Sequence, residues 1–295
     1  MLAEQPLIDK GFLEKLERLS LQWQKSFPGI VGGNSASRYS GPGQEFLDHR
    51  HFHQGDDLRG VNWRAYLRFD KLFTKMFHLE PRIPVWLLLD VSRSMATGKG
   101  GKFDYACRLA AALSYVGQVR LETITILPFH SSLDDAYVCT GGRHRFGPAA
   151  DFLSGLRPKG ATRFADVVRQ FTDKYMQRGL LLMISDFLDD DGAGRSLELL
   201  AEFGHELFLI QVWDEEDRRP PWKGWLELED AETGTVRHVE FDRRAREEYT
   251  TAFDEYSRSL QRVAAGSGGR YASLATSQSL EDAIFGPLSR AGGLR

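Results

Sequence analysis

The chain has 295 residues, of which 42% are hydrophobic and 27% are charged, and its formal net charge is -3. These values are ordinary for a folded protein and exclude an overall bias toward nucleic acid or anionic lipid. No apolar run approaches the roughly 18 residues of a membrane span, and the first residues do not resemble a signal peptide. We therefore expect a cytoplasmic protein without a transmembrane segment, in which Cys107 and Cys139 are reduced packing residues.

Residues 1–83 are predicted to form an N-terminal extension. Alternating histidines and an acidic pair within it could form a transition-metal cluster: His49, His51, His53, Asp56 and Asp57. Residues two apart on an extended strand are about 6.6 Å apart, so a shared zinc ion would need a bend. We favour charge-assisted bonds that attach the extension to the core and involve the two aspartates with Arg50, Arg59 and Arg64. Eight Lys/Arg against six Asp/Glu between Arg38 and Arg82 also argue against a nucleic-acid surface.

Residues 84–214 alternate between strand and helix patterns and are predicted to form the core domain. Strands are predicted at 84–90, 123–129, 180–186 and 206–213, and helices near 102–120, 148–156, 164–175 and 196–203. This alternation predicts an α/β fold with a Rossmann-like, doubly wound, mostly parallel sheet.

The remaining chain is predicted to insert a hairpin and then complete the core. Residues 215–241 contain two alternating segments around Glu232-Thr-Gly-Thr, which is typical of a β-hairpin, and we expect it to project from an edge of the sheet. Residues 242–295 show a helical stripe that stops at Gly266, followed by a last strand near 270–274 and a helix near 280–288.

A polar motif follows the apolar strand that starts at Pro84. Asp90, Ser92 and Ser94 occupy alternate positions at the strand's carboxyl end, where open α/β sheets place their ligands. One carboxylate and two hydroxyls are hard oxygen ligands suited to a divalent cation that keeps part of its water shell. Adjacent ligands on octahedral magnesium are only about 3 Å apart, so the chain must curl after Asp90.

Two more oxygen donors follow further along the chain. Asp186 ends the apolar strand 180–185, and Thr162 lies in a turn before a helix. Carboxyl ends of parallel strands meet at one edge of a sheet, so these groups could face one ion together with Asp90. Taken singly, Asp186 could cap the following turn and Thr162 could be the N-cap of a helix.

The same residues resemble a known site. Asp90-x-Ser92-x-Ser94, Thr162 in Gly-Ala-Thr and Asp186 in Ile-Ser-Asp match all five positions of the metal-ion-dependent adhesion site of von Willebrand factor type A domains. The preceding segment resembles the signature of the bacterial family catalogued as domain of unknown function fifty-eight: Gly41-Pro-Gly-Gln-Glu45-Phe46, Arg50, Gly55-Asp56-Asp57-Leu-Arg59 and Asn62-Trp63-Arg64. Asn62 replaces the family's usual Asp, and the two membrane helices of longer members do not precede this segment.

The resemblance implies a metal-dependent protein-binding module. It implies that the five residues hold Mg²⁺, with Mn²⁺ or Ca²⁺ as alternatives, and that a protein partner supplies an Asp or Glu. An under-neutralised cation would attract that carboxylate without losing a protein ligand. The family also implies an adaptor role beside a MoxR-type AAA+ ATPase in the assembly or activation of other proteins.

Enzymatic alternatives fit the motifs less well. A haloacid-dehalogenase-like phosphatase needs a second carboxylate two residues after Asp90, where this chain has Ser92. The segment before Phe103 resembles a P-loop but lacks its first glycine and its Ser/Thr. We therefore expect no catalysis, with a metal-dependent hydrolase as the alternative, in which the metal would activate water beside an unidentified base.

Overall fold

The computed structural model describes residues 7–22, 45–53, 61–78, 83–99, 101–120, 122–140, 142–189 and 192–295. The chain divides into two compact units. The smaller unit is residues 26–82, and the larger one combines residues 1–25 with residues 83–295. Among the described residues, the structure contains no helix that is both long and apolar enough to cross a membrane.

In the described residues of the smaller unit, 45–53 and 61–78, the chain forms an antiparallel strand pair and a short helix. Strand β1 (Glu45–His51) pairs with β2 (Phe73–His78), and the register shifts between Phe46 and Asp48. Helix α2 (Trp63–Phe69) begins after Asn62, whose side chain accepts a hydrogen bond from the backbone N–H of Ala65. Asparagine is thus a suitable N-cap here without carrying a charge. Signature residues 41–44 and 55–59 lie outside the described residues.

The larger unit is built on a six-stranded sheet that confirms the predicted architecture. Its strands are β3 (Val85–Asp90), β4 (Ile124–Phe129), β5 (Tyr137–Cys139), β6 (Leu180–Ser185), β7 (Glu206–Trp213) and β10 (Arg270–Ala275). Their order is β10-β7-β6-β3-β4-β5, and only the edge strand β5 is antiparallel to its neighbour. If the six strands of this sheet are numbered 1 to 6 along the chain, they lie side by side in the order 6-5-4-1-2-3, which is the doubly wound Rossmann-like order. The short β5 was not predicted from the sequence.

The central strands are buried on both faces, which explains their continuous apolar sequences. Along β3, Leu87 and Leu89 pack into one hydrophobic cluster, whereas Trp86 and Leu88 pack into a second cluster on the other face. This alternation follows from the period of two along a strand.

Helices cover both faces of the sheet. The first cluster includes residues of α1 (Lys10–Leu16), α3 (Lys102–Val119), α4 (Phe146–Gly155) and α9 (Leu280–Ala283). The second includes residues of α5 (Phe164–Lys174), α6 (Gly194–Glu202) and α8 (Arg243–Gly266). A short helix, α7 (Glu215–Arg218), follows β7, and a π-helical turn (Ile284–Leu288) extends α9. The observed bounds agree with the predicted core elements to within a few residues.

A separate two-stranded hairpin lies between α7 and α8. Strand β8 (Gly224–Glu229) pairs antiparallel with β9 (Val236–Phe241). The prediction that the hairpin projects from an edge of the sheet is wrong for its tip, residues 230–235. The side chain of Glu232 at this tip accepts hydrogen bonds from Thr162 in the loop before α5.

The sheet order determines where a ligand site can form. Strands β3 and β6 are neighbours, although their connections leave in opposite directions toward the two edges of the sheet. This is the topological switch point, where open α/β sheets bind ligands beyond the carboxyl ends of the strands. Asp90 ends β3 and Asp186 follows β6, so both predicted carboxylates lie at this point.

Candidate metal centre

The chain curls immediately after β3, as the predicted site requires. The backbone N–H of Ser92 donates to Asp90 Oδ1 over 2.8 Å, and a 3₁₀ turn (Ser94–Ala96) follows. The hydroxyl oxygens of Ser92 and Ser94 lie 2.9 Å apart. A straight strand would separate these two residues by about 6.6 Å, so the curl brings both hydroxyls to one point.

Asp90 is a fully buried carboxylate. Ser185, the last residue of β6, donates its hydroxyl to Asp90 Oδ2 over 2.5 Å. Burial and the nearby negative charge of Asp186 raise the pKa of Asp90 to about 7, against the opposing effect of the hydrogen bonds from Ser185 and Ser92. Two neighbouring carboxylates of this kind favour the binding of a cation, because a cation stabilises their charged forms.

Asp186 lies in a constrained turn after β6. Its Oδ1 accepts the backbone N–H of Leu188 over 3.1 Å, so the predicted turn-capping role is present. Phe187 between them has a φ of 61°, a left-handed conformation that is unfavourable for a bulky side chain. Tyr256 of α8 donates its hydroxyl to the carbonyl of Phe187, and Ser185 accepts the N–H of Phe187. These bonds fix the direction of the Asp186 carboxylate.

The other oxygen of Asp186 faces a buried ammonium group. Lys102, the first residue of α3, lies 3.0 Å from Asp186 Oδ2 and 3.0 Å from Asp217 Oδ2, and its side chain is 0% exposed. Burial acts to lower the pKa of Lys102, but the charges of Asp186 and Asp217 outweigh it, so the pKa is raised. Burial likewise raises the pKa of Asp217, while the charge of Lys102 acts to lower it. Lys102 is therefore a charged part of the site.

Backbone hydrogen bonds hold the loop of Thr162 against the loop after β3. Lys159 N–H donates to the carbonyl of Val91 over 2.7 Å, and Arg93 N–H donates to the carbonyl of Gly160 over 3.1 Å. The proposed N-cap role of Thr162 is wrong, since α5 starts after Arg163. The backbone N–H of Phe164, the first residue of the helix, donates to the side chain of Asp189 instead. The threonine is 3% exposed and its hydroxyl is available to the site.

Glu232 at the hairpin tip is a further carboxylate at this position. Its Oε2 accepts the backbone N–H of Thr162 over 2.9 Å, and its Oε1 accepts the threonine hydroxyl over 3.2 Å. Burial raises the pKa of Glu232, the two bonds from Thr162 oppose this, and the charge of Asp186 raises it further. The charge of Asp186 thus acts on both Asp90 and Glu232.

The donor set fits a hard divalent cation. The 2.9 Å between the Ser92 and Ser94 oxygens is close to the roughly 3 Å between adjacent ligands on octahedral Mg²⁺. Carboxylate and hydroxyl oxygens, without sulfur or imidazole, are typical ligands of Mg²⁺, Mn²⁺ or Ca²⁺. In the described part of the chain, no group of three or more His, Cys, Asp or Glu side chains could hold a metal ion, so the candidate site depends on its hydroxyls.

Within the described residues, the structure does not support the alternative zinc cluster. The side chains of His51 and His53 are described, and they belong to no such metal-holding group within the described residues. The side chain of His49 and both Asp56 and Asp57 lie outside the described residues. The charge-assisted bonds predicted for the same segment therefore remain a prediction.

Several residues of the site were not identified from the sequence. Ser185 directly precedes Asp186 and is signalled by strand alternation, and Lys102 is signalled by its position after the glycines that precede α3. Asp217 and Glu232 come from distant elements and carry no comparable local signal.

Fold and site together define a class: a Rossmann-like α/β protein with hydroxyl and carboxylate oxygens at its switch point. The resemblance to von Willebrand factor type A domains thus extends from the motif to the place of the motif in the sheet. Residues 48–259 match the family described as "Protein of unknown function DUF58". The chain belongs to this family, as its sequence signature predicted.

The chain is also similar to two uncharacterized mycobacterial proteins. Uncharacterized protein Rv1480 of Mycobacterium tuberculosis and uncharacterized protein Mb1516 of Mycobacterium bovis are each 26% identical over 275 residues, which cover 91% of this chain and 86% of theirs.

Solved structures that resemble the chain include BatB from Bacteroides thetaiotaomicron, with a TM-score of 0.41 and 18% identity over 71% of this chain and 98% of BatB. The SpRpn10 VWA domain has a TM-score of 0.36 and 12% identity, covering 68% of this chain and 93% of the domain. Mussel proximal thread matrix protein 1 with a zinc-occupied MIDAS motif has a TM-score of 0.36 and 11% identity, covering 62% and 47%. We assign the fold from the strand order of this chain itself, β10-β7-β6-β3-β4-β5.

Proposed function

We propose that this protein is a metal-ion-dependent protein-binding module that binds a carboxylate of its partner. Asp90, Ser92, Ser94, Thr162 and Asp186 would hold a divalent cation, for which Mg²⁺ is our first choice. The observation that carries the proposal is the 2.9 Å pairing of the Ser92 and Ser94 hydroxyls beside the buried Asp90, at the switch point of the sheet. The bound cation would supply positive charge that attracts an Asp or Glu side chain of the partner.

The environment of Lys102 supports a binding role over a catalytic one. A hydrolase would need a base beside the metal site. Lys102 is the basic side chain in contact with Asp186, yet it is held by two carboxylates that raise its pKa and keep it protonated. A charged ammonium cannot accept a proton, so Lys102 does not supply this base. We propose that the module is not an enzyme.

We extend the proposal to a partner class. Resemblance to the family suggests that a MoxR-type AAA+ ATPase works with this module, which would act as an adaptor in the assembly or activation of other proteins. The support for this step comes from the sequence signature and the family match. Co-purification with the ATPase in the presence of Mg²⁺, and its loss in EDTA, would test the extension separately from metal binding.

The central test compares metal binding and partner capture in matched variants. Wild type should bind Mn²⁺ in calorimetry and retain partner proteins on a column in Mg²⁺ but not in EDTA. Asp90→Asn, which keeps the size of the side chain, and Asp90→Ala should lose both properties while circular dichroism shows a folded protein. Asp104→Asn is the control, since its side chain is 71% exposed on α3.

Two results would contradict the proposal. Capture that persists unchanged in EDTA would exclude the metal-dependent mechanism. Phosphatase or esterase turnover that disappears in Asp90→Asn would favour a metal-dependent hydrolase instead.

A further inference from the structure

The tip of the β8–β9 hairpin reaches the loop that carries Thr162. Both carboxylate oxygens of Glu232 are used in this contact, one by the backbone N–H of Thr162 and the other by its hydroxyl. The residues are 70 positions apart in the chain, so this is a long-range contact between the hairpin and a predicted ligand of the cation. A carboxylate from outside the sheet thus already lies at the candidate centre.

The hairpin tip is organised to present Glu232. Asp230 Oδ1 accepts the backbone N–H of Glu232 over 2.9 Å and that of Thr233 over 2.6 Å, and it also accepts the Thr233 hydroxyl. These hydrogen bonds lower the pKa of Asp230, because they stabilise its charged form. Gly234 has a φ of 68°, which lets the chain return to β9. The tip is therefore a compact turn with Glu232 in a fixed position.

The base of the hairpin is anchored on the core. Phe241, at the end of β9, is 5% exposed and packs edge-on against Trp222 at a ring distance of 5.8 Å and against Tyr249 of α8 at 6.3 Å. Aromatic contacts of this kind stabilise the packing beyond the effect of burial alone. The base of the hairpin is therefore held in place by contacts that do not involve Thr162.

A cation bound at the centre would change the electrostatic energy of Glu232 in its contact with Thr162. Without a metal ion, Glu232 lies near the negative charge of Asp186, which is unfavourable for both. A divalent cation held by Asp90, Asp186 and the hydroxyls would turn this repulsion into attraction. Such a cation would favour Glu232 by the same Coulomb interaction that would favour a partner's Asp or Glu.

We propose that Glu232 is a built-in carboxylate ligand of this centre, so that the hairpin tip occupies the position a partner's carboxylate must take. The inference rests on the proposed function and deepens it, since partner binding then requires displacement of residues 230–235. The affinity of the module for an acidic partner is accordingly set by the competition between the partner's carboxylate and the module's own Glu232.

The contact itself can be tested without metal. Amide hydrogen exchange at Thr162, measured in EDTA, should be at least about tenfold faster in Glu232→Ala than in wild type, because the N–H then loses its acceptor. Glu227→Ala is the control, since Glu227 is exposed on the same hairpin and lies opposite His238. Equal exchange in wild type and Glu232→Ala would overturn the contact on which the proposal is built.

The competition is tested with a small carboxylate probe. N-acetylglutamate N-methylamide is titrated into the full chain loaded with Mn²⁺, and its glutamine analogue serves as the neutral control ligand. Glu232→Ala should bind the glutamate probe about tenfold or more tightly than wild type, which is about 1.4 kcal/mol. Glu232→Gln should behave similarly because it loses the charge, whereas Glu227→Ala should match wild type.

The possible failures of this titration differ from one another. If Mn²⁺ and the probe bind wild type and Glu232→Ala equally well, the role of Glu232 is wrong and the metal-dependent function stands. If neither form binds Mn²⁺, the proposed metal centre and the inference built on it both fail. Weaker probe binding in Glu232→Ala would show that Glu232 assists a partner's carboxylate, which also overturns the competition.

Discussion

The ammonium of Lys102 lies 3.0 Å from the carboxylate of Asp186, and both side chains are almost completely buried. A residue that we expect to bind a divalent cation is thus already paired with a monovalent one. Asp217, whose side chain is 16% exposed, completes a largely buried group of three charges, at 3.0 Å from the same ammonium. The pairing explains how Asp186 and Asp217 are tolerated when no metal is bound, because both lie beside the positive charge of Lys102.

Replacing Lys102 with Met should strongly destabilise the metal-free protein. The change leaves Asp186 and Asp217 buried without a counter-charge, which typically costs about 3–5 kcal/mol. Urea unfolding in EDTA measures this loss, and saturating Mn²⁺ should reduce it because the metal replaces the missing positive charge. Arg108→Met should cost less than about 1 kcal/mol, since Arg108 is 47% exposed and its carboxylate partner is 3.9 Å away. A similar loss in both variants would contradict the structural role of the buried group.

Metal binding should raise the stability of the wild-type protein. At a free Mn²⁺ concentration 100 times the dissociation constant, linkage predicts a gain of about 2.7 kcal/mol in the free energy of unfolding. Thermal or chemical unfolding with and without Mn²⁺ measures it, and EDTA should reverse it. Ser92→Ala should reduce the gain by removing one neutral ligand, whereas Ser154→Ala, in α4 and away from the five predicted ligands, should retain it. An unchanged gain in Ser92→Ala would count against Ser92 as a ligand.

The sequence predicted the fold better than it predicted the surroundings of the site. Apolar strands and helical stripes are local patterns, so β3, β6, α3 and α8 could be located to within a few residues. Asp90, Ser92 and Ser94 follow a motif whose spacing is also local, and the meeting of parallel strand ends at one sheet edge predicts that Thr162 and Asp186 join them.

Other contacts depend on tertiary structure. Lys102 was considered only as part of a defective P-loop, yet it is a buried partner of Asp186 because α3 starts beside the loop after β6. Glu232 lies in the turn of a hairpin predicted to project from an edge of the sheet, yet its side chain contacts Thr162. Neither pairing has a signature in the sequence, since each joins residues 70 or more positions apart.

Gly160→Ala should weaken metal binding as well as the fold. Gly160 has a φ of 70°, and an added Cβ would lie 2.9 Å from Nδ1 of His130. The substitution should cost about 1–3 kcal/mol and shift the loop whose carbonyl and N–H groups bind Arg93 and Val91. Because that loop carries Thr162, Mn²⁺ affinity measured by calorimetry should fall.

A glycine substitution away from the site separates stability from metal binding. Gly117→Ala in α3 would place a Cβ 2.2 Å from Cδ1 of Ile124, so it should also destabilise, by about 1–3 kcal/mol. This variant should bind Mn²⁺ with wild-type affinity at a temperature where it is folded. Equal losses of affinity in both glycine variants would indicate a general effect of instability rather than a displaced Thr162.

Glu122 should make the stability of the protein fall as pH rises from about 4.5 to 7. Burial raises the pKa of its carboxyl group from 4.5 to about 7, against a weaker opposing effect of Arg120. Its Oε2 is buried and has no hydrogen-bond partner among the residues that the structure describes. Between these two values the folded state binds more protons than the unfolded state, so deprotonation favours unfolding as pH increases.

The variant Glu122→Gln isolates this contribution, because glutamine stays neutral at every pH. Relative to wild type, it should gain about 2–3 kcal/mol of stability between pH 4.5 and pH 8, from about 1.36 kcal/mol for each unit of pKa difference. Urea unfolding at several pH values in EDTA measures the difference. Asp90 is present in both proteins, so its own titration cancels in the comparison. A difference between the two proteins that does not change with pH would show that folding leaves the pKa of Glu122 unchanged.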